Sequence, residues 1–315
     1  MQALITGGAG FIGSNIARAL TAEGWGVRVL DDLSSGYRAN LDGLPVDFRH
    51  GDVRDPLAVA DAVAGCDVVF HLAASVGNKR SIDDPIGDAS INVIGTLQVL
   101  EAARRSGVRK IVVSSSAGIY GELRTVPIHE SHPLDPLTPY GASKLCMEKQ
   151  CLAYAATHGI EAVALRYFNV YGPNQRFDAY GNVIPIFVFN ALQGRPITIF
   201  GDGMQTRDFV NVADVVQANI KAATAPGVTG AFNIASASQT RILDLAVAVK
   251  DGLGVPVDIE FGPLRAGDVE HSLADIEAAS NAFGYQPAIT MEDGLPEYLA
   301  WARGEAPRTG TSQGN

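Results

Sequence analysis

Residues 1–13 read MQALITGGAGFIG: the apolar run Ala3–Ile5 leads into a cluster of glycines, and an amphipathic pattern begins at Phe11. This order predicts a buried strand, a tight turn and the start of a helix. The glycines match two spacings, G-x-G-x-x-G (Gly8, Gly10, Gly13) and G-x-x-G-x-x-G (Gly7, Gly10, Gly13). Glycines at such a turn let the backbone approach a pyrophosphate, which the N–H groups at the helix start then bind. The stretch therefore predicts a dinucleotide-binding turn.

A second apolar run supports this interpretation. Val27–Leu30 ends in Asp31 and Asp32, about 20 residues after the glycines, where a dinucleotide fingerprint places an acid. A carboxylate there accepts hydrogen bonds from an adenosine ribose and repels a 2′-phosphate. The sequence therefore favours NAD over NADP.

Composition excludes several classes of protein. The chain has 315 residues, with 47% hydrophobic and 18% charged side chains, which is typical of a large globular core. A net charge of −10 argues against nucleic acid or an anionic membrane as partner. No apolar run approaches the ~20 residues that cross a bilayer, and three cysteines without zinc spacing (Cys66, Cys146, Cys151) suit a reducing compartment. We expect a cytoplasmic protein without a metal site.

Strand and helix patterns alternate through the first half of the chain. Strands are predicted at Val46–Arg49, Asp67–Leu72, Lys110–Ser115 and Ala162–Arg166, and helices at Pro56–Ala64, Asp83–Ser106 and Pro139–His158. Alternation at this spacing predicts an α/β fold, a Rossmann-like doubly wound parallel sheet with helices on both faces. Residues 1–170 are the predicted NAD-binding domain.

Beyond residue 170 the segments shorten, and loops rich in Gly, Pro and Asn separate them. Helical patterns recur at Val183–Gln193, Val212–Thr224, Leu243–Gly252 and Met291–Arg303. This texture predicts a smaller α/β substrate lobe over residues 171–303, with some exchange of strands and helices between the lobes. Residues 304–315 are polar and predict a flexible tail.

The strongest catalytic signal is Tyr140-Gly-Ala-Ser-Lys144, at the start of a predicted helix. Tyr140 and Lys144 share one helix face, and an ammonium within ~4–6 Å lowers the pKa of a phenol by roughly 1–3 units. Such a phenolate takes a hydroxyl proton while a hydride leaves the same carbon, and Ser116 would orient the substrate oxygen. Tyr and Lys at this spacing also occur on plain solvated helices. The glycine turn and the serine-terminated strand favour the catalytic interpretation.

Polar clusters follow four predicted strands, where a parallel sheet binds its ligands. They are Gly51–Val53, His71–Ala74, Ser114–Ser116 and Arg166–Asn169. Each alone is ordinary turn chemistry, but all four meet at the edge that carries the glycine turn. We expect a cofactor cleft along this edge.

Five stretches carry a resemblance to a known family: TGGAGFIG (6–13), SSSAGIYG (114–121), YGASK (140–144), RYFNVYGP (166–173) and GDGMQTRDFVNVADV (201–215). The chain resembles the extended short-chain dehydrogenases/reductases, and is most similar to nucleotide-sugar 4-epimerases. The resemblance implies a seven-stranded parallel sheet, tightly held NAD, a C-terminal lobe for a UDP-sugar, and a homodimer. In that family the helices matching 83–106 and 139–158 pair into a four-helix bundle.

The resemblance assigns roles residue by residue. Ser116, Tyr140 and Lys144 match the catalytic trio. The implied cofactor contacts are Gly7, Gly10, Phe11, Ile12, Gly13, Asp31, Asp52, Val53, Leu72, Ala73, Asn92 and Tyr167, beside Tyr140 and Lys144. The strand-end clusters add Ala74 and Ser114, and the acid pair after Val27–Leu30 adds Asp32. The implied nucleotide contacts are Asn169, Asn182, Val183, Thr198, Phe200, Arg207, Arg265 and Asp268. In these roles the arginines neutralise the diphosphate, Asp268 accepts from the ribose, and Phe200 packs near the base.

The reaction is argued from what stands beside Ser116. The related 4,6-dehydratases carry an Asp-Glu pair there and uronate decarboxylases a nearby glutamate, whereas this chain has Ala117 and Gly118. Without those acids, 4-epimerisation is the simplest outcome: hydride passes from the sugar C4 to NAD, a 4-keto sugar turns over, and hydride returns to its other face. A dehydratase, a decarboxylase and a catalytically silent NAD-binding sensor are the alternatives. The presence of Tyr140 and Lys144 argues against the sensor.

Two features bear on the sugar. Ser272 stands where the family often has Tyr or Cys, and its small side chain leaves room for a bulky substituent such as N-acetyl. Lys79, Arg80 and Arg176 would pair with a C6 carboxylate, or they are solvated loop charges. The UDP-glucose/UDP-galactose and UDP-glucuronate/UDP-galacturonate pairs both stay open at this point.

Overall fold

The structure is a computed structural model that describes residues 1–178, 182–264 and 269–309. Its main sheet contains the strands β1 (Gln2–Thr6), β2 (Gly26–Asp31), β3 (Val46–His50), β4 (Val68–His71), β5 (Lys110–Ser116), β6 (Glu161–Tyr167) and β11 (Gly230–Ile234). They lie in the order β11-β6-β5-β4-β1-β2-β3, and every neighbouring pair is parallel. The predicted doubly wound parallel sheet is confirmed.

Helices cover both faces of this sheet, which is why its inner strands are continuous apolar runs. The helices of this layer are α1 (Phe11–Ala22), α2 (Pro56–Val63), α3 (Asn78–Asp83), α4 (Pro85–Ala89), α5 (Thr96–Ser106), α6 (Pro139–His158) and α8 (Val212–Thr224). In β1, Ala3 and Ile5 pack in the core shared with α1 and α8. Leu4, which points the other way, packs in the core shared with α2, α5 and α6.

The helix predicted at Asp83–Ser106 is not one regular element. It begins at Pro85, because Asp84 caps it by accepting the N–H of Gly87 at 2.9 Å, and residues Ser90–Gly95 form a π-helical turn before α5. The preceding residues form the separate helix α3, which the sequence analysis does not predict. The dipeptide Asp84-Pro85 is the local signal for this break, since Asp caps a helix and Pro occupies its first turn.

The rest of the chain forms a second layer with its own core. Its elements are β7 (Asn169–Tyr171), α7 (Val183–Leu192), β8 (Ile197–Phe200), β9 (Thr206–Arg207), β10 (Phe209–Asn211), β12 (Thr240–Arg241), α9 (Ile242–Leu253), β13 (Ile259–Gly262) and α11 (Met291–Thr309). The helix α10 (Glu277–Phe283) instead packs in the core of the main sheet through Ala279. The short strands pair as β10-β7, β12-β9 and β13-β8, and α7, α9 and α11 pack with β8.

The elements α8, β11 and α10 lie beyond residue 170 yet pack in the main layer, so the chain crosses between the two cores more than once. The division at residue 170 stays a prediction about folding units. Helix α11 continues to Thr309, past residue 304 where the tail is predicted to begin. The flexibility of residues 304–315 stays a prediction, and residues 310–315 lie outside the described residues. Among the described residues, no helix has the length and apolar character that would cross a membrane.

Candidate active site

A cleft of about 1240 Å³ follows the carboxyl edge of the main sheet. Most of the predicted site residues line it: Gly7, Gly10, Phe11, Ile12, Gly13, Asp31, Asp32, Asp52, Val53, Leu72, Ala73, Ala74, Ser114, Ser116, Tyr140, Lys144, Tyr167, Asn169, Arg176, Asn182 and Ser272. Asn92, Val183, Thr198, Phe200 and Arg207 do not line it. Arg265 and Asp268 lie outside the described residues. The strand topology therefore brings the predicted cofactor and catalytic groups together.

The glycine turn is built by close approach. Gly7 has φ +70°, a left-handed conformation, and a Cβ at this position would lie 2.7 Å from the Ala73 nitrogen. A Cβ on Gly13 would lie 2.3 Å from the Gly7 carbonyl oxygen. Gly10 is the N-cap of α1, and no side chain caps that helix. The first-turn N–H groups of α1, which have no intrahelical acceptor, therefore face the cleft as an anion site.

The acids at the ends of β2 and β3 are held differently. Asp31 is buried, and its two oxygens accept the N–H groups of Ala9 at 2.9 Å and Leu33 at 2.8 Å. Burial raises the pKa of Asp31. Each oxygen retains a lone pair for a ribose hydroxyl, so Asp31 and the glycine turn fit a dinucleotide. Asp52 pairs with Arg54, which lowers the pKa of that carboxyl.

The predicted catalytic trio is assembled from two elements. Ser116 ends β5, Tyr140 is the second residue of α6, and the Ser116 side chain hydrogen-bonds the Tyr140 phenol. Thr138 caps α6 by accepting the N–H of Gly141 at 3.1 Å, which fixes where the helix starts. Lys144 is 2% exposed, and its Nζ donates to the Ser114 carbonyl oxygen at 2.6 Å. The end of β5 thus contacts both the phenol and the ammonium.

Burial shifts the pKa values of Tyr140 and Lys144 in opposite directions. Burial raises the pKa of Tyr140, and the hydrogen bond with Ser116 only partly opposes this. Burial also lowers the pKa of Lys144 to about 8, against the opposing charge of Asp88. In the chain by itself the pKa of Tyr140 lies above its ordinary value, because desolvation outweighs the hydrogen bond with Ser116. The predicted lowering of this pKa by Lys144 together with a bound cofactor stays a prediction.

Asn92 lies in the π-helical turn and is fully buried. Its amide accepts the N–H of Ser75 at 2.8 Å and donates to the Ser75 carbonyl at 3.1 Å, to Asp88 at 3.2 Å and to Ser143 at 2.9 Å. Asn92 therefore fixes the loop after β4 against α6 from behind the cleft. Its predicted contact with the cofactor stays a prediction.

The predicted sugar-binding cations have protein partners. Arg176 pairs with Glu305 of α11 at 2.8 Å, donates to Asn40 at 2.7 Å, and lies over the rings of Tyr37 and Trp301. Arg80 pairs with Asp178 at 3.1 Å, and Lys79 pairs with Asp83 at 2.8 Å. These contacts hold the segment 174–178 against Asn40 and Arg80 on one side and against Glu305 of α11 on the other.

The predicted nucleotide contacts lie in the second layer. Thr198 and Phe200 belong to β8, beside β13, and Val183 begins α7. Asn169 donates to the Asp208 carbonyl at 3.1 Å, and Asn182 to the Val170 carbonyl at 3.2 Å. Arg207 donates to the carbonyls of Thr206 and Val269, and Ser272 is 8% exposed at the cleft. Their roles toward a nucleotide stay predictions.

Two buried side chains behind the site, Asp88 and Ser143, are not among the residues predicted from the sequence. Asp88, Asn92 and Thr96 are buried polar residues four positions apart on one helical stripe. Polar side chains at this spacing on an otherwise apolar face are the signal that would have found them.

A parallel sheet, a glycine turn under a cleft and a Ser-Tyr-Lys group define a dinucleotide-dependent enzyme of the short-chain dehydrogenase/reductase class. The model of the NAD dependent epimerase/dehydratase family matches residues 3–235, and the chain belongs to that family, whose cofactor is NAD.

Known proteins agree with this assignment. The chain is 38% identical over 312 residues to a UDP-glucose 4-epimerase of Mycolicibacterium smegmatis, covering 97% of this chain and 100% of the relative. A solved UDP-glucose 4-epimerase from Thermotoga maritima, bound to UDP-glucose, superposes with a TM-score of 0.91 at 35% identity, covering 96% of this chain and 99% of that one. A UDP-glucose 4-epimerase from Thermus thermophilus, in complex with NAD, gives 0.88 at 35% identity, covering 96% and 99%.

Proposed function

We propose that this chain is an NAD-dependent UDP-sugar 4-epimerase that interconverts UDP-glucose and UDP-galactose. The observation that carries the proposal is the Ser116–Tyr140–Lys144 group at a cleft whose glycine turn and Asp31 fit a dinucleotide. The similarity to named UDP-glucose 4-epimerases over nearly the whole chain supports the same reaction.

The mechanism follows from what each side chain can do with a proton. NAD, when bound, supplies the hydride acceptor and a positive charge. Tyr140 takes the proton of the sugar C4 hydroxyl, and Ser116 holds that oxygen by a hydrogen bond. Lys144 stabilises the phenolate electrostatically from within α6. Tyr140 then returns the proton to the oxygen of the 4-keto sugar once its opposite face is presented.

The surroundings of Ser116 favour epimerisation over elimination or decarboxylation. A Cβ on Gly118 would start 3.4 Å from the Ser116 Oγ and 3.7 Å from the Tyr140 ring. A side chain at position 118 would therefore reach the reacting sugar. In this chain positions 117 and 118 are Ala and Gly, and neither titrates. The acid that a dehydratase or decarboxylase needs is missing from both positions.

The cations of the cleft favour a neutral sugar over a uronate. Four basic side chains line the cleft within the described part of the chain: Lys79, Arg80, Lys144 and Arg176. Three pair with carboxylates, and Lys144 donates to the Ser114 carbonyl. A C6 carboxylate would therefore have to share these cations with the acids that already pair with them, such as the part-buried Glu305 on Arg176.

We also infer a homodimer. Ile86 of α4 is 83% exposed and Ile94 of the π-helical turn is 48% exposed, on the side of the sheet that carries α5 and α6. Exposed apolar side chains on adjoining helices are typical of a helix-packing interface. Sedimentation analysis of Ile86→Asp tests this: we expect a monomer, whereas an unchanged dimer would place the interface elsewhere.

The activity is tested by NMR of the anomeric protons during incubation with UDP-glucose, UDP-galactose, UDP-glucuronate and UDP-galacturonate. We expect interconversion of the first pair, and a loss of at least ~100-fold in Tyr140→Phe, the low end for removal of a general acid–base group. Tyr154→Phe, on the same helix but bonded to Glu101 away from the cleft, is the matched control and should keep wild-type turnover.

Activity of Tyr140→Phe within tenfold of wild type would show that another group transfers the proton. Wild-type protein that is inert on all four sugars would favour the sensor alternative. Arg176→Ala tests whether this side chain recognises a C6 carboxylate. We expect the variant to lose activity equally on neutral UDP-sugars and on UDP-uronates. A loss confined to the uronates would overturn the neutral-sugar assignment.

A further inference from the structure

A buried carboxylate stands behind the catalytic helix. Asp88 of α4 is 2% exposed. Its Oδ2 accepts the Ser143 hydroxyl at 2.5 Å, and its Oδ1 accepts the Asn92 amide at 3.2 Å. Among the described residues no Lys, Arg or His lies within ion-pair distance of it, and Lys144 interacts with it electrostatically. A charge kept in a dry interior is costly, so its retention at this place calls for a function.

We propose that Asp88 is a positioning residue of the reaction: it fixes the first turn of α6 through Ser143 and supplies the negative charge that faces Tyr140 and Lys144. This inference rests on the proposed epimerase function for its kinetic consequences. Its effect on the two side chains themselves does not depend on turnover.

The geometric part of the argument concerns Ser143. This residue lies between Tyr140 and Lys144 in α6, and its hydroxyl is 3.0 Å from the Tyr140 carbonyl oxygen as well as 2.5 Å from Asp88. Asn92 donates to the same hydroxyl at 2.9 Å. Asp88 and Asn92, both from the neighbouring helical segment, thereby set the rotation of α6 about its axis, which decides where the phenol and the ammonium point.

The electrostatic part depends on which groups around Lys144 carry charge. Asp88 is the largest influence that opposes the burial of the ammonium, and Cys151 is the next. Burial raises the pKa of Cys151 far above neutrality, so its thiol carries no charge there. Burial likewise lowers the pKa of His71, on β4, to about 3 and keeps it neutral.

Other carboxylates on α6 and the neighbouring helices have cationic partners: Glu148 with Arg166, Glu101 with Arg104, and Asp83 with Lys79. Asp178 likewise pairs with Arg80 of α3. Asp88 is therefore the unmatched negative charge that favours the ammonium form of Lys144. The same charge opposes ionisation of Tyr140. Neutralising it should lower the pKa of both groups, which a merely structural change would not do.

Asp88→Asn tests this, because the amide keeps the shape and an acceptor for Ser143 but loses the charge. In the pH profile of kcat, we expect both the acid limb (Tyr140) and the alkaline limb (Lys144) to move down by roughly one pH unit. Ser143→Ala is the matched control: it removes the hydrogen bond and retains the charge, so kcat should fall while both limbs stay at their wild-type pH. Asp88→Glu, which retains the charge on a longer arm, should also keep the wild-type limbs.

A second readout needs no turnover. The ultraviolet absorbance of the Tyr140 phenolate is followed during alkaline titration, as the difference between each protein and its Tyr140→Phe counterpart. We expect Tyr140 to ionise at lower pH in Asp88→Asn than in wild type and Ser143→Ala. If wild type does not epimerise any sugar, the proposed function fails while this titration still decides the role of Asp88.

Unmoved limbs and an unmoved phenolate titration in Asp88→Asn would overturn the proposal, as would equal shifts in Ser143→Ala. Should Asp88→Asn not fold, Asp88→Ser removes the charge with a smaller polar side chain and carries the test: limbs at lower pH support the proposal, and limbs at the wild-type pH refute it.

Discussion

The buried ring of His71, at the end of β4, should make the free energy of unfolding depend on pH. Its ring is 0% exposed, with Nδ1 2.7 Å from the Thr6 hydroxyl and Nε2 3.0 Å from the Thr96 hydroxyl. Burial, with a contribution from the Lys144 charge, lowers its pKa from 6.5 to about 3. The folded chain therefore binds this proton more weakly than the unfolded chain, and acid favours unfolding.

The direction and size of this pH effect follow from the different proton affinities of the folded and unfolded chain. The stabilisation is complete above pH 6.5, the unfolded value, and is lost as the pH falls from there toward the folded value of about 3. At pH 5 the loss amounts to about 2 kcal/mol, since each pH unit between the two values is worth about 1.4 kcal/mol. His71→Gln keeps polar atoms for the two hydroxyls but cannot titrate, so it should not show this part of the acid sensitivity.

The assay is urea unfolding of wild type and His71→Gln, followed by circular dichroism at pH 8 and pH 5. We expect the free energy of unfolding to fall by about 2 kcal/mol more in wild type than in the variant. His158→Gln, at the exposed end of α6, is the control and should behave as wild type. Equal falls in wild type and His71→Gln would refute the argument that burial keeps this ring neutral.

Three further substitutions test other parts of the structure. Gly13→Ala would place a Cβ 2.3 Å from the Gly7 carbonyl, so we expect the turn to open and the purified protein to lose its NAD, measured by ultraviolet absorbance of the released nucleotide. Arg166→Met leaves Glu148, which is fully buried, without its 2.7 Å ion pair. We expect a loss of about 3–5 kcal/mol in urea unfolding, largely recovered when Glu148→Met is added; a loss below about 1 kcal/mol would contradict this. Arg176→Ala removes the ties to Asn40 and Glu305 across the cleft. We expect roughly tenfold weaker NAD binding by calorimetry, and unchanged affinity would show that these ties do not hold the cleft.

The main sheet was predictable because each of its inner strands is dry on both faces. Val68–His71 and Lys110–Ser116 read as apolar runs, since helices from two different cores cover them. The edge strand β11 carries no such run: in Gly230–Ile234 only the last two residues are buried. Its place beside β6 follows from tertiary packing, which a local pattern does not encode.

That the proposed catalytic residues lie together at one cleft was predictable for a related reason. Motif spacing places them at strand ends and on one helix turn, and the sheet brings those ends together. Arg176 is an example of what motif spacing does not predict. Its identity and its place at the cleft follow from the sequence, but its partner Glu305 lies in a segment predicted to be a flexible tail. Partners so distant along the chain are set by the packing of α11, which a local pattern does not encode. The role of Arg176 toward the sugar stays a prediction.

The sequence predicts a lowered pKa for Tyr140, whereas the structure raises it, and this difference has a functional consequence. The sequence specifies a phenol and an ammonium on one helix face, which by themselves favour a phenolate. The fold buries both, so the pKa of Tyr140 is raised and that of Lys144 is lowered. In the chain by itself burial therefore opposes ionisation of Tyr140, and positive charge in the cleft would favour it. The oxidised nicotinamide ring would supply such a charge, so we expect NAD binding to lower the pKa of Tyr140, against the opposing negative charge of Asp88.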